Sequence, residues 1–304
     1  MASAPREIFD FQRLRRNRDR AARDGFGEGA DFLRRAAAES LIDRLRDTPR
    51  RFERALMLGE GVGPIKEAFQ QVLPERALSV FEPAPILAKT AEVVSIAEEV
   101  LPVAEARADL AVSAFLLHHL NDPVGHLIQL RRALVPDGLV LLAALGGQTL
   151  AELRTAFAEA EVELLGGLSP RVAPMAEIRD LGSLLQRAGL VMPVADTERL
   201  TVTYETPLHL MRDLRAMGET SILLDRPKSC LRRDVLARMS EIYHAHFTAT
   251  GGRIRASFEL IYLTGWSPGP DQPQPLRPGT ATNRMADALG TFEVPMGEKT
   301  IDQG

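Results

Sequence analysis

Apolar residues recur at helical spacing over residues 30–48, where Phe32, Leu33, Ala36, Ala37, Leu41 and Leu45 share a face. A helix over 11–24 precedes it, and Gly25-Phe26-Gly27-Glu28-Gly29 separates the two. From Arg54 the pattern changes to short apolar runs that alternate with helical segments. The runs are Ala55–Leu58, Leu78–Phe81, Val93–Ile96, Leu110–Ser113 and Leu139–Leu145. A helix follows the first run to about Gln71, another spans 122–135, and Pro136-Asp137-Gly138 reads as a turn before the fifth run. Short buried strands alternating with helices predict βαβ units and a parallel sheet. Helices over about 149–165 and 175–188, a strand over 191–204 and helices over about 206–217 and 228–248 come next. Ile254–Trp266 reads as a long last strand, with Phe258, Leu260, Tyr262 and Thr264 on one face, pairing antiparallel to close one edge of the sheet.

Past Trp266, Pro268, Pro270, Pro273, Pro275 and Pro278 crowd together, which predicts a tail without a core of its own. The expected layout is a helical extension over 1–50, an α/β domain over 51–266 and a Pro-rich tail over 267–304.

Composition narrows the picture. The hydrophobic share is 45% of 304 residues, enough for a sizeable core. No apolar run approaches the roughly 20 residues of a membrane span, and the N-terminus carries no apolar signal region, which predicts a cytoplasmic protein. A single cysteine, Cys230, excludes an internal disulfide framework. The net charge of −4 argues against non-specific nucleic-acid binding. Arginine is concentrated in residues 1–54, which predicts a solvated basic helical face or a docking surface for an acidic partner.

The candidate chemistry lies where the runs end. Leu58-Gly59-Glu60-Gly61-Val62-Gly63 closes the first strand, and alternating glycines let the backbone approach a ligand closely at a helix N-terminus. Glu82, followed by Pro83, ends the second strand, 19 residues after Gly63, where a carboxylate accepts hydrogen bonds from ribose hydroxyls. Glu98-Glu99 follows the third strand, where an adenine amino group would lie. Three features in this order predict a nucleoside-type ligand. The glycine spacing is tighter than the dinucleotide fingerprint, so a pyrophosphate cradle is not expected. The fourth strand leads through Ser113 to His118 and His119, which makes those three the candidate catalytic residues. Helix capping or packing explains the two histidines equally well. No third ligand stands at metal spacing, so no metal is expected.

These motifs, with Leu134-Val135-Pro136-Asp137-Gly138, resemble the class I S-adenosylmethionine (SAM)-dependent methyltransferases. The resemblance implies a Rossmann-like, mostly parallel seven-stranded sheet. It also implies a SAM site built from Gly59, Glu60, Gly61, Gly63, Glu82, Pro83 and Glu98. Further segments narrow it: Ile8-Phe9-Asp10 with Arg20-Ala21-Ala22, Gly146–Arg154, Asp180–Leu185 with Arg187-Ala188-Gly189, Asp213–Glu219, Tyr262–Trp266 and Gly279–Thr282. These are similar to the subgroup of complex I assembly factors that hydroxylate an arginine of a core hydrophilic subunit, and to its alphaproteobacterial relatives. The resemblance implies a complex I subunit as protein substrate, and is compatible with peripheral association at the inner membrane.

The sequence departs from the pattern at four places. Met57 stands where an acid usually precedes the glycine turn, and Ala97 where an Asp commonly precedes the two glutamates. His119 replaces a frequent Trp, and Glu60 adds a negative charge inside the turn. Met57, Glu60 and Ala97 weigh against tight SAM binding. Two alternatives therefore stand beside arginine hydroxylation: an ordinary methyltransferase acting on a small molecule or carrier-bound carboxylate, and a non-catalytic assembly protein with a degenerate SAM site.

Overall fold

The computed structural model describes residues 7–24, 29–59, 63–74, 78–86, 93–96, 99–270, 272, 290 and 291. Among them, seven strands form one sheet in the order β3-β2-β1-β4-β5-β7-β6. The strands are β1 (Ala55–Leu58), β2 (Leu78–Glu82), β3 (Val93–Ser95), β4 (Ala108–Ala114), β5 (Leu134–Leu145), β6 (Val191–Tyr204) and β7 (Ile254–Trp266). The first five are parallel, and β7 runs antiparallel to both β5 and β6. All of β1 and β4 is buried, which is why their sequences are continuous apolar runs without alternation.

The helices are α1 (Phe11–Arg23), α2 (Phe32–Arg46), α3 (Pro64–Val72), α4 (Pro123–Ala133), α5 (Ala151–Leu165), α6 (Ile178–Arg187), α7 (Pro207–Ala216) and α8 (Arg233–Phe247). They divide the core in two. On one face of the sheet α2, α3, α5 and α8 contribute Leu41, Phe69, Phe157 and Tyr243. On the other α4 and α6 contribute Leu127, Leu130 and Leu185. Among the described residues no helix is long and apolar enough to cross a membrane.

Two expectations need adjusting. The last strand does not form an edge: β7 is inserted between β5 and β6, so the alternating, half-exposed β6 is the edge. Central placement explains why Phe258 to Leu263 are buried on both faces and not on one. The segment Pro136-Asp137-Gly138 is not a separate turn. It is an irregularity within β5, which pairs Leu134 with Ala108 before the register shifts, and Asp137 takes φ 62° there.

The first compact unit ends at Gly269, and the N-terminal helices belong to it along with the sheet. Their anchoring is specific. Asn121 Oδ1 accepts from the backbone N–H groups of Ile8 and Phe9, and Phe9 bridges to Leu223. Asp10 then caps α1 by accepting from Arg13 N–H. The Ile8-Phe9-Asp10 segment is thus a docking element that fixes where α1 begins. The second unit runs from Pro270 to Gly304; apart from residues 270, 272, 290 and 291 it lies outside the described residues, as do most of the expected Pro-rich tail and Gly279–Thr282.

Candidate active site

Strand order reverses between β1, which continues to β2, and β4 on its other side. Ligands bind at such a point, beyond the carboxyl ends of the strands. Gly59 follows β1 there with φ +86°, and a Cβ at this position would lie 2.4 Å from the carbonyl oxygen of Ala114. No side chain fits, so Gly59 is required by the close approach of the β1 and β4 ends. Gly63 takes φ +99° with open space around it and stands at the N-cap of α3. Glu60, Gly61 and Glu98, together with Ala97, lie outside the described residues. Met57, where an acid was expected, is fully buried in the core.

Glu82 ends β2 with its side chain 2% exposed. Its Oε1 accepts from Ala84 N–H at 3.2 Å and from the Arg18 guanidinium at 3.3 Å. Arg18, itself 3% exposed, also donates to the carbonyl oxygens of Gly59 and Phe115. One guanidinium therefore ties together the carboxyl ends of β1, β2 and β4. Neighbours on α1 hold the same loop: Arg15 donates to the Pro83 carbonyl at 3.1 Å, and Asp19 accepts from Ile86 N–H at 2.9 Å. The basic helix is thus not only a solvated face, since its central arginine reaches the carboxyl ends of the strands. Sequence reading missed Arg18 because an Arg-rich helix gives no sign of which arginine turns inward. Glu99 is likewise committed to structure, accepting from Asn121 and Asp122 backbone N–H groups.

His118 and His119 form a short 3-10 turn after β4. Their rings lie 4.1 Å apart, and both Nε2 atoms face Glu219 Oε2, at 3.4 Å for His118 and 2.8 Å for His119. Glu219 lies just after α7 and was not singled out as a site residue, although it closes the Asp213–Glu219 segment that marks the subgroup. Burial pushes the His118 pKa down to about 4, helped by the adjacent His119 and only partly opposed by Glu219. Burial alone would raise the Glu219 carboxyl, but the two imidazoles outweigh it and hold the carboxyl well below its ordinary range.

His119 and Glu219 line a cavity of about 290 Å³. Leu145, Leu150, Leu153, Phe157 and Met175 make its wall mostly apolar, and Arg13, Arg171 and Arg226 also border it. Arg171 is paired with Glu161, and Arg226 lies 4.0 Å from Asp10.

Ser113 is placed differently from the histidines. It is fully buried within β4 and its Oγ lies 3.3 Å from His126 Nε2 of α4. It does not line the cavity, and the pair reads as a packing contact between sheet and helix. Burial holds the His126 pKa down to about 4 from 6.5, with Asp122 opposing. The folded chain therefore binds fewer protons than the unfolded chain between those values. This stabilisation is fully present above pH 6.5 and is lost as pH falls toward 4, by up to about 3 kcal/mol. The urea midpoint of the His126→Leu variant is expected to fall less steeply than that of the parent over this range. A residual slope from His118 remains, and identical profiles for parent and variant would refute the assignment.

The Methyltransferase domain family matches residues 30–192 of this chain. The chain is 35% identical to the human protein named arginine-hydroxylase NDUFAF5, mitochondrial, over 98% of this chain and 89% of that one. It is 30% identical to the malonyl-acyl-carrier-protein O-methyltransferase of Halorhodospira halophila, over 86% and 90% of the two chains. Among solved structures, the YcgJ protein of Bacillus subtilis superposes with a TM-score of 0.52 at 15% identity, over 76% of this chain and 98% of that one. That likeness concerns the fold alone.

Proposed function

Since the chain belongs to the methyltransferase-domain family, and within it to the group that contains the NDUFAF5 arginine-hydroxylases, we propose that it is a SAM-binding enzyme that hydroxylates an arginine of a respiratory complex I subunit during assembly. The observation that carries this reading is the cavity. It offers apolar walls from Leu150, Leu153 and Phe157 and polar lining at His119 and Glu219. An arginine side chain has the matching form, three methylenes behind a cationic head, and such side chains bury their stems along apolar surface. The carboxylate of Glu219, kept ionised by its imidazole neighbours, supplies the only acidic charge among the cavity's described lining residues.

SAM would be held by the glycine turn and by Glu82. The fit is favourable at two points: Gly59 and Gly63 both take positive φ, and the buried Glu82 carboxylate stands beyond β2 where a ribose would lie. When bound, SAM would supply an activated methyl group; hydroxylation of the arginine also requires an oxygen donor such as O₂ and a two-electron reductant, both brought from outside the chain. The protein's own part is to orient the substrate arginine and exclude water from the His118–His119–Glu219 end. The enzyme acts in the cytoplasm on a membrane-associated complex to which it docks peripherally.

The test is mass spectrometry of the core hydrophilic complex I subunit from cells lacking this protein. The expected result is loss of a +16 Da arginine modification, restored by the parent gene but not by the Glu219→Gln variant. An unchanged modification in the deletion strain sinks the reading.

A second reading has its own support. Three arginines, Arg13, Arg171 and Arg226, border the cavity and suit a carboxylate acceptor, as on a carrier-bound malonyl group. Methyl transfer from labelled SAM to malonyl-carrier protein would favour this O-methyltransferase alternative, and its absence with a SAM-competent protein would count against it.

A further inference from the structure

The sequence offered two histidines after β4 and no third metal ligand; the fold supplies Glu219, one hundred residues further on, as a third group of ligating type. An imidazole nitrogen from His118, one from His119 and a carboxylate oxygen of Glu219 lie within 4.8 Å of one another. Two imidazoles and a carboxylate are the ligand set of catalytic zinc sites and of non-haem iron(II) centres, in both of which some coordination positions stay open. The cluster is buried: the His118, His119 and Glu219 side chains are only 2%, 6% and 6% exposed. Within it two polar atoms, His119 Nδ1 and Glu219 Oε1, are buried without a hydrogen-bond partner. Of these, the Glu219 oxygen calls for a partner such as an ion. The open side is defined as well, because His119 and Glu219 border the cavity.

We infer that His118, His119 and Glu219 bind one divalent transition-metal ion, with its open coordination positions facing the cavity. The inference does not rest on the arginine reading: a bound ion would engage the Glu219 carboxylate in place of an arginine head, and the Co²⁺ titration below reads the metal alone. Binding displaces the protons that the imidazoles share with Glu219. His119 can carry its proton on the unpartnered Nδ1. His118 Nδ1 accepts from Leu145 N–H at 3.3 Å, so binding through Nε2 requires the Nδ1-protonated tautomer and the loss of that bond.

Metal-free protein titrated with Co²⁺ tests this directly. The expected result is one equivalent bound, with a visible absorption band and a raised Tm. Imidazole NMR signals of His118 and His119 should broaden, while those of the more exposed His209 and His246 should not. The Glu219→Gln and His119→Trp variants, checked for folding by circular dichroism, are each expected to lose at least about tenfold in Co²⁺ affinity, since even outer-shell changes cost 10–100-fold. A folded parent protein that takes up no Co²⁺ overturns the site. So does broadening confined to His209 or His246, or binding that both variants retain.

Discussion

Replacing Arg18 by methionine is expected to lower folding stability by about 3–5 kcal/mol, the range seen when one partner of a buried ion pair is removed. The reason lies in what remains. Arg18 and Glu82 are 3% and 2% exposed, so the substitution takes a guanidinium away from a carboxylate buried in the core. It also leaves the Gly59 and Phe115 carbonyl oxygens without the guanidinium that joined them. Phe115 is held at φ 50°, a conformation that costs a non-glycine residue about 1–3 kcal/mol and persists only when its surroundings enforce it. Loss of Arg18 loosens that enforcement. The double variant Arg18→Met/Glu82→Gln is expected to recover much of the loss, since it removes the uncompensated charge. Urea midpoints of the parent, the two single variants and the double variant form the test. A single variant within about 1 kcal/mol of the parent would place the pair among surface-like bridges of little energetic weight.

This ion pair marks the boundary of what the sequence could convey. Continuous apolar runs such as Ala55–Leu58 and Leu110–Ser113 can only be buried parallel strands when bounded by helices, and each became one. The order of glycine turn, Glu82 and His118-His119 was legible because each closes a strand, and the parallel sheet brings strand ends to one side. Three things were not. Insertion of β7 between β5 and β6 depends on long-range pairing that no local period encodes. Arg18 is one of many arginines near the N-terminus, and only the docking of Ile8 and Phe9 on Asn121 determines which one faces inward. Glu219 meets the histidines through the packing of the loop after α7. There Gly218 lies against Arg18, so that an added Cβ would be 3.4 Å from its side chain. The Asp213–Glu219 segment was distinctive as a sequence, but its meaning is tertiary: it joins the cofactor-side arginine to the histidine pair.

The same arrangement governs the cofactor. Glu82→Gln is expected to weaken SAM binding by roughly 10²-fold, the sum of two hydrogen bonds to a charged acceptor at about 1.5–3 kcal/mol each, reduced for the partial replacement that an amide provides. A carboxylate accepts through both oxygens, whereas the amide has one acceptor and one donor. In this chain the carboxylate already accepts from Arg18 and Ala84 through Oε1, so a ribose must share it with those donors. The amide nitrogen would instead meet the guanidinium as donor against donor, and could only donate to a ribose hydroxyl where the carboxylate accepts from it. Because the single variant also strands Arg18, calorimetric titration with SAM and S-adenosylhomocysteine should include the Arg18→Met/Glu82→Gln protein, which keeps the core neutral. Loss of binding in both proteins, each folded, assigns the effect to the ribose contact. Loss in the single variant alone, with binding kept in the double variant, assigns it to displacement of Arg18 into the crevice. Undiminished binding in both would remove Glu82 from the site and with it the nucleoside reading of the strand ends.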